Sequence, residues 1–367
     1  MIKITHLNRQ QLTVWVESEA FKHLPDWPIS LRRAASHVRN PRAEASDILL
    51  LLAWIDDELV GYLGVLPDRY YPVDKPATRC GWLSCLWVSD RHRGKSIAKL
   101  LVSEGVTQIG GQILLTEFTP QAKQLYDRLG FFSDLKISQG LRLYFRFASA
   151  HILPPKRPFF ARIKPVLTII DRLSNILVDV VTYPRRHAKT GINFCYVSSV
   201  DEETADFIHD HQGEEFFRRG QSEINWALTY PWVADGEPDE WSRKYYFSSV
   251  DRQVECRAIQ IKDANGALCA FLVLSRRNGH LKMPVCYFKK EAITKVAAVV
   301  QHHVASWQIS MFTTFHPEIV AYFRTNKTFA LFKKTLNRHY LATKAMAGKL
   351  NGQPIHIQDG DGDCFFT

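Results

Sequence analysis

Two stretches of this chain, 197 residues apart, share one succession of elements: a buried strand, a long helix, another apolar strand and a short helix opened by proline. In that register Thr116, Phe118 and Pro120 meet Thr313, Phe315 and Pro317, and Val88 meets Val285. The helical period that begins at Ser96 falls on one that begins at Glu291. A repeat of this length means one architecture used twice. The 367 residues leave room for it, since a single core rarely grows beyond about 250–300 residues. The expected fold is mixed α/β, in two tandem domains that each carry a mostly antiparallel sheet flanked by helices.

In the first half, residues 48–55 and 59–66 are apolar runs around Asp56-Asp57-Glu58, a hairpin pattern. Residues 82–88 read as a buried strand. From Ser96, Ile97, Leu100, Leu101, Val106 and Ile109 recur at three- and four-residue steps, the period of a helix. Residues 112–118 return to strand. Thr119 then caps a short helix with Pro120 at its first position and Gly130 at its end, and residues 131–147 supply the last strands. The second half reads as a helix over 201–211, a hairpin around Asn265-Gly266, a strand over 281–288, a helix over 291–307 and a strand over 309–315. The expected division is 1–148, a linker over 149–190, and 191–367.

With 46% hydrophobic and 23% charged residues the chain is globular, not disordered, coiled-coil or collagen-like. Its net charge of +10 is unevenly placed: residues 151–200 hold eight basic and two acidic side chains. That linker contains an amphipathic helix over 166–181, with Ile169, Leu173, Ile176, Leu177, Val180 and Val181 on one face. Lys156, Arg157, Arg162 and Lys164 precede it; Arg185, Arg186, His187 and Lys189 follow. Three readings compete: a helix packed between two domains, peripheral contact with anionic lipid through 156–189, or nucleic-acid contact, the last being the weakest. The first residues lack a signal-peptide pattern, no apolar run reaches the roughly 18–20 residues that span a bilayer, and the seven cysteines form no CxxC pair. A cytoplasmic protein with reduced thiols and no metal is the expectation.

The segment from Leu86 to Leu101 carries the chemistry. A strand ends in the turn Ser89-Asp90-Arg91-His92-Arg93-Gly94-Lys95, which opens a helix at Ser96. Such a turn aims free backbone N–H groups and the positive end of the helix at one spot, and Arg93 and Lys95 add charge, so a phosphate or pyrophosphate is the natural ligand. It has neither GxxxxGK[ST] nor GxGxxG.

Arg93-Gly94-Lys95-Ser96-Ile97-Ala98 resembles the acetyl-CoA loop of the GNAT N-acetyltransferase superfamily, whose pattern is Arg/Gln-x-x-Gly-x-Gly/Ala. Residues 119–131, with Ala122, Leu125, Tyr126, Leu129, Gly130 and Phe131, resemble the family's second signature, N-x-x-A-x-x-L-Y-x-x-L-G-F. The resemblance covers residues 1–148 well and the second half only as an echo of the fold. Ser96 stands where the family has its first glycine, and Thr119 where it has asparagine.

The resemblance implies an acyl-CoA-dependent N-acyltransferase, moving acetyl from acetyl-CoA to the primary amine of a small-molecule or amino-sugar acceptor by direct attack. Leu86, Trp87 and Val88 would then offer backbone groups to the pantetheine arm. Arg93, Gly94, Lys95, Ser96, Ile97, Ala98 and Lys99 would surround the pyrophosphate, with Thr119 and Lys123 flanking it. Tyr126 matches the family's general acid, a phenol that is protonated at neutral pH. The family's usual positions for a general base hold Trp82 and Leu114 here, so Glu117, within an apolar strand, is the candidate base or substrate-orienting carboxylate, and Asp68 the reserve. The second copy places Glu291, Ile293 and Phe323 where the first has Gly94, Ser96 and Tyr126, which implies a copy silent toward CoA. Two alternatives stand: an aminoacyl-tRNA-dependent transferase, and a non-catalytic CoA-binding or lipid-associated module. Asp359-Gly360-Asp361-Gly362-Asp363 reads as turn-forming chain, lacking the remaining spacing of a Ca²⁺ loop.

Overall fold

A computed structural model of the chain describes residues 1–154, 157–187 and 191–366. These residues form two compact units, and neither is a continuous stretch of sequence. The first comprises Met1–Ser138, Ser198–Val254 and Asn337–Thr367, the second Gln139–Val197 and Glu255–Leu336. The division at 148 and 191 expected from the sequence is therefore not the spatial one.

The cause is visible in the strand ladders. In the first unit the strand Thr78–Val88 runs parallel to Ile113–Leu115, pairing Gly81 with Ile113 and Trp82 with Leu114. The other edge of that short strand is covered by Leu341 and Ala342, from the strand that follows the second copy's proline-opened helix. In the second unit His280–Phe288 runs parallel to Met311–Thr314, whose far edge is covered by residues 141–144, from the strand that follows the first copy's. Each copy thus receives its closing strand from the other half of the chain. An uncovered edge would leave a row of unpaired backbone groups.

The succession expected from the repeat is present in both units. Thr78–Val88, a 3₁₀ turn at Asp90–His92, the helix Ile97–Gln108, Ile113–Leu115 and the helix Pro120–Leu129 find counterparts in His280–Phe288, Lys290–Ala292, Ile293–Ser306, Met311–Thr314 and Pro317–Thr325. Among the described residues, each unit's sheet is mixed and mostly antiparallel.

In the first unit both faces of the sheet are covered, which explains why 48–55 is apolar without alternation. Leu51 and Ala53 join Val60, Leu63, Ile97 and Leu101 on one face; Leu50 and Leu52 join Leu12, Phe21, Trp27 and Tyr62 on the other. The second face is built by helices Arg9–Glu17 and Leu31–Val38, capped by Asn8, in a capping box with Gln11, and by Ser30. The second unit's core runs through Ile259, Leu272, Val296, Val300, Phe312 and Phe323.

Candidate functional site

The strand Thr78–Val88 pairs with Glu58–Tyr70 along most of its length, but with Ile113–Leu115 only at Gly81 and Trp82. Beyond Trp82 the two parallel strands part. The ladder to Glu58–Tyr70 shifts register between Tyr62 and Gly64, and Cys85 adopts φ 54 in the bulge. The parting leaves the edge from Leu83 to Val88, with Leu86, Trp87 and Val88, without a strand partner on that side among the described residues. A wedge open along a backbone edge can take an extended, amide-bearing chain as a further strand would.

The turn from Ser89 to Ser96, expected from the sequence to take a phosphate, lies at the end of that edge. Gly94 (φ 85) and Ser96 (φ 60, ψ 16) are both left-handed, and the helix Ile97–Gln108 starts directly after Ser96, whose side chain caps nothing. Among the described residues, the N–H groups of Gly94, Ser96, Ile97, Ala98 and Lys99 meet no protein acceptor; the first bond back to the turn is Leu100 N–H to Ser96 O at 3.0 Å. Five open donors beside a helix N-terminus form an anion cradle. Arg93 and Lys95 are exposed beside it, Arg93 paired with Asp90 at 2.5 Å. Thr119 caps its own helix by accepting from Ala122 N at 3.2 Å, and Lys123 pairs along that helix with Asp127. The corresponding turn of the second unit has no left-handed residue from Lys289 to Ser306, and Phe323 is buried where the first copy has Tyr126.

Tyr126 is buried, edge-on to Phe118 and Phe132, and its hydroxyl has no hydrogen-bond partner among the described residues. Burial first, then the charge of Asp363 and the Cys85 thiol, push its phenol up to about 12.

Glu117 does not lie within a strand. The strand ends at Leu115, and Glu117 takes φ 52, turning the chain toward the next helix. Its carboxylate accepts from Arg338 at 2.7 Å, a guanidinium that is itself buried and also donates to Asp359 O at 2.8 Å. Asp68 is committed too: it is buried and accepts from Arg42 at 2.6 Å, Arg219 at 2.9 Å and Trp82 Nε1 at 2.9 Å. Those guanidiniums hold its carboxyl below the usual range despite the burial that opposes it.

Sequence reasoning missed two contributors. The first is Asp363. The segment that read as turn-forming chain is instead threaded through the first unit: Gln358 through Gly362 are buried, Phe366 stacks on Trp232 at 4.4 Å, and Asp361 accepts from Arg219 at 2.7 Å. Gly362 (φ 72) lies against the Trp82 ring, where the strands part. Asp363 follows it, half-exposed among buried neighbours, and its charge acts on Tyr126, Cys85 and Arg33. The spacing of alternating glycine and aspartate held no signal for this.

The second is Arg33, which looks in sequence like half of a solvated Arg32-Arg33 pair. It is buried on the helix Leu31–Val38, contacts the Ser84 hydroxyl and the Cys85 thiol, lies 3.1 Å from Tyr245 Oη and His37 Nε2, and covers the Trp232 ring at 4.1 Å. A Cβ at Gly64 would come within 2.9 Å of this guanidinium, so the bulge and a glycine make room for it. Burial, against the pull of Arg33, raises the Cys85 thiol, which argues against a thiolate nucleophile. Residues 226–247 are rich in aromatic side chains of the kind that stack on sugars, and three of them are engaged here in packing: Trp226 and Trp232 donate to Ser36, and Tyr245 faces Arg33.

Comparison with known proteins bears on this arrangement. No curated protein matches the chain. Among solved structures, a GCN5-related N-acetyltransferase from Anabaena variabilis superposes with a TM-score of 0.51 at 10% identity, over 93% of this chain and 72% of that one. A conserved protein of unknown function from Enterococcus faecalis, described as a probable N-acyltransferase, gives 0.51 at 11% identity over 94% and 73%. Saccharomyces cerevisiae N-myristoyltransferase with bound myristoyl-CoA gives 0.49 at 9% identity over 92% and 82%. The family model of the GNAT acetyltransferases matches residues 10–131, the stretch that holds the wedge, the phosphate turn and Tyr126. Residues 10–131 thus match the model of the GNAT acetyltransferase family, and the solved structures share the fold of the chain.

Proposed function

We propose that the first unit transfers an acyl group, acetyl in the simplest case, from acyl-CoA to a primary amine by direct attack. The observation that supports this reading is the wedge beyond Trp82, with open N–H donors at one end and a tyrosine hydroxyl that has no hydrogen-bond partner among the described residues and whose phenol feels the charge of Asp363. The pyrophosphate would lie on the N–H groups of Gly94 and of Ser96 to Lys99, with the pantetheine along Leu86 to Val88.

Attack on the thioester carbonyl requires the amine without its proton, and an alkyl ammonium releases one only near pH 10. Asp363 is the base this site supports best: it is half-exposed and lies in the electrostatic reach of both Tyr126 and Cys85. Glu117, held by Arg338, is better suited to orienting the acceptor. As the carbon–sulfur bond breaks, the electron pair collects on sulfur. With its phenol near 12, Tyr126 serves as a hydrogen-bond donor that steadies the thiolate, since complete proton transfer to a thiolate of ordinary basicity would run uphill. The turn of the second copy, with Glu291 and no left-handed residue, supports a unit that does not bind CoA. With the aromatic stretch engaged in packing, a small amine is favoured over an amino sugar as acceptor.

The test is thermal shift with acetyl-CoA and longer acyl-CoAs, followed by an amine screen read by CoA release. Acyl-CoA should raise Tm, and Gly94→Glu should abolish the rise. An unchanged Tm with every donor would overturn the reading.

A further inference from the structure

The helix Lys164–His187, in the second unit, is inside out. The residues it buries, Leu167, Asp171, Val178 and Thr182, recur at four- and seven-residue steps on one face, and half of them are polar. Ile169, Leu173, Ile176, Leu177, Val180 and Val181 lie on the opposite face and are each 52–70% exposed. A surface helix ordinarily does the reverse.

The acidic residues are turned inward as well. Asp171 accepts from Ser149 Oγ at 2.7 Å and from Ala150 N at 2.8 Å, and Asp179 pairs with Arg146. These are the only two carboxylates in residues 151–200, so none is left on the apolar stripe. The exposed charges are positive: Arg157, Arg162 and Lys164 at the start of the helix and Arg172 at the edge of the stripe. Phe159, 61% exposed, precedes the helix, and Tyr183 lies near its far end. Residues 156, 188 and 189 of the expected contact region 156–189 lie outside the described residues.

We propose that this face docks on an anionic bilayer surface, the helix lying in the plane of the interface with its aliphatic stripe among the acyl chains and its basic residues at the lipid phosphates. Charge complementarity selects this occupant. A second copy of the chain would bring the same basic flanks against themselves in a two-fold interface. A bilayer offers apolar depth and negative charge together. Among the described residues no helix is long and apolar enough to cross a membrane, so the binding is peripheral.

The experiment is co-flotation of the full chain with vesicles of phosphatidylcholine alone or mixed equally with phosphatidylglycerol. The protein should float with the anionic vesicles and stay down with the neutral ones, and about 0.5 M salt should weaken the binding. Leu173→Glu with Leu177→Glu should reduce the floated fraction at least about tenfold, and Arg162→Glu with Lys164→Glu should reduce it severalfold. Tm should be unaltered in both, because the altered side chains are exposed. Three outcomes would overturn the proposal: no flotation with either vesicle, binding that survives the leucine pair but not the basic pair, or a wild-type dimer that the leucine pair splits while vesicle binding stays absent. None of these depends on CoA binding, so failure here is distinguishable from failure of the acyltransferase reading.

Discussion

Gly362 rests on the indole of Trp82 so closely that a Cβ there would lie 2.9 Å from two ring carbons. Trp82 is the last residue of its strand to pair with the parallel neighbour, so the segment crosses where the wedge begins. The chain position of Asp363, the next residue, is thereby fixed by a contact that only glycine permits. Gly362→Ala meets both the ring and a left-handed φ of 72, and should cost about 2–3 kcal/mol, read as a lower denaturation midpoint, together with a loss of turnover as Asp363 shifts.

Asp363→Asn keeps the shape of the segment and removes the proposed base. We expect kcat to fall about 10²–10⁴-fold, with the thermal shift from acyl-CoA preserved. Glu117→Gln, which leaves Asp363 in place, should act more on the KM of the acceptor. If Glu117→Gln loses kcat and Asp363→Asn does not, the two roles are reversed.

Tyr126→Phe should lower kcat about 10–10³-fold with little change in KM for acyl-CoA. The raised phenol has a consequence for stability. Its folded value near 12 exceeds the ordinary 10, so the stability it contributes is fully present below pH 10 and is lost as pH rises toward 12. The phenylalanine variant should therefore lose less stability than the wild type over that alkaline range, as read by Tm against pH.

Ser96 holds a left-handed conformation that costs a residue with a Cβ about 1–2 kcal/mol, offset in glycine by its greater freedom when unfolded. Ser96→Gly should therefore stabilise by up to about 1 kcal/mol, visible as a Tm rise of a few degrees. It should leave acyl-CoA affinity equal or better, since the N–H groups of the turn are unchanged.

Asp361 is buried, and burial holds its carboxyl up to about 6 against the pull of Arg219. A carboxyl raised above its unfolded value contributes stability that is present below about pH 4 and lost as pH rises through 6. Asp361→Asn should remove this dependence, so the stability difference between wild type and variant should shift in the variant's favour from pH 4 to pH 7. Asp68→Asn, which strips the shared partner from Arg42 and Arg219, should destabilise by about 3–5 kcal/mol.

What the residues determined by themselves was local. Apolar runs, the caps Thr119 and Gly130, and the turn between Val88 and Ile97 specify elements through contacts a few residues long, and the repeat at 197 follows because the same local rules act twice. The turn after Val88 and the helix that carries Tyr126 were legible for that reason. Tertiary structure decided what depends on distant partners. It brought Arg338 to Glu117 across 221 positions, set the charge of Asp363 to act on Tyr126, and exchanged closing strands so that compact units cut across the sequence order. It also decided which face of the helix Lys164–His187 is buried. An amphipathic pattern fixes only that two faces differ; the groups offered by the neighbouring elements choose between them, and here Ser149, Ala150 and Arg146 drew the aspartates inward.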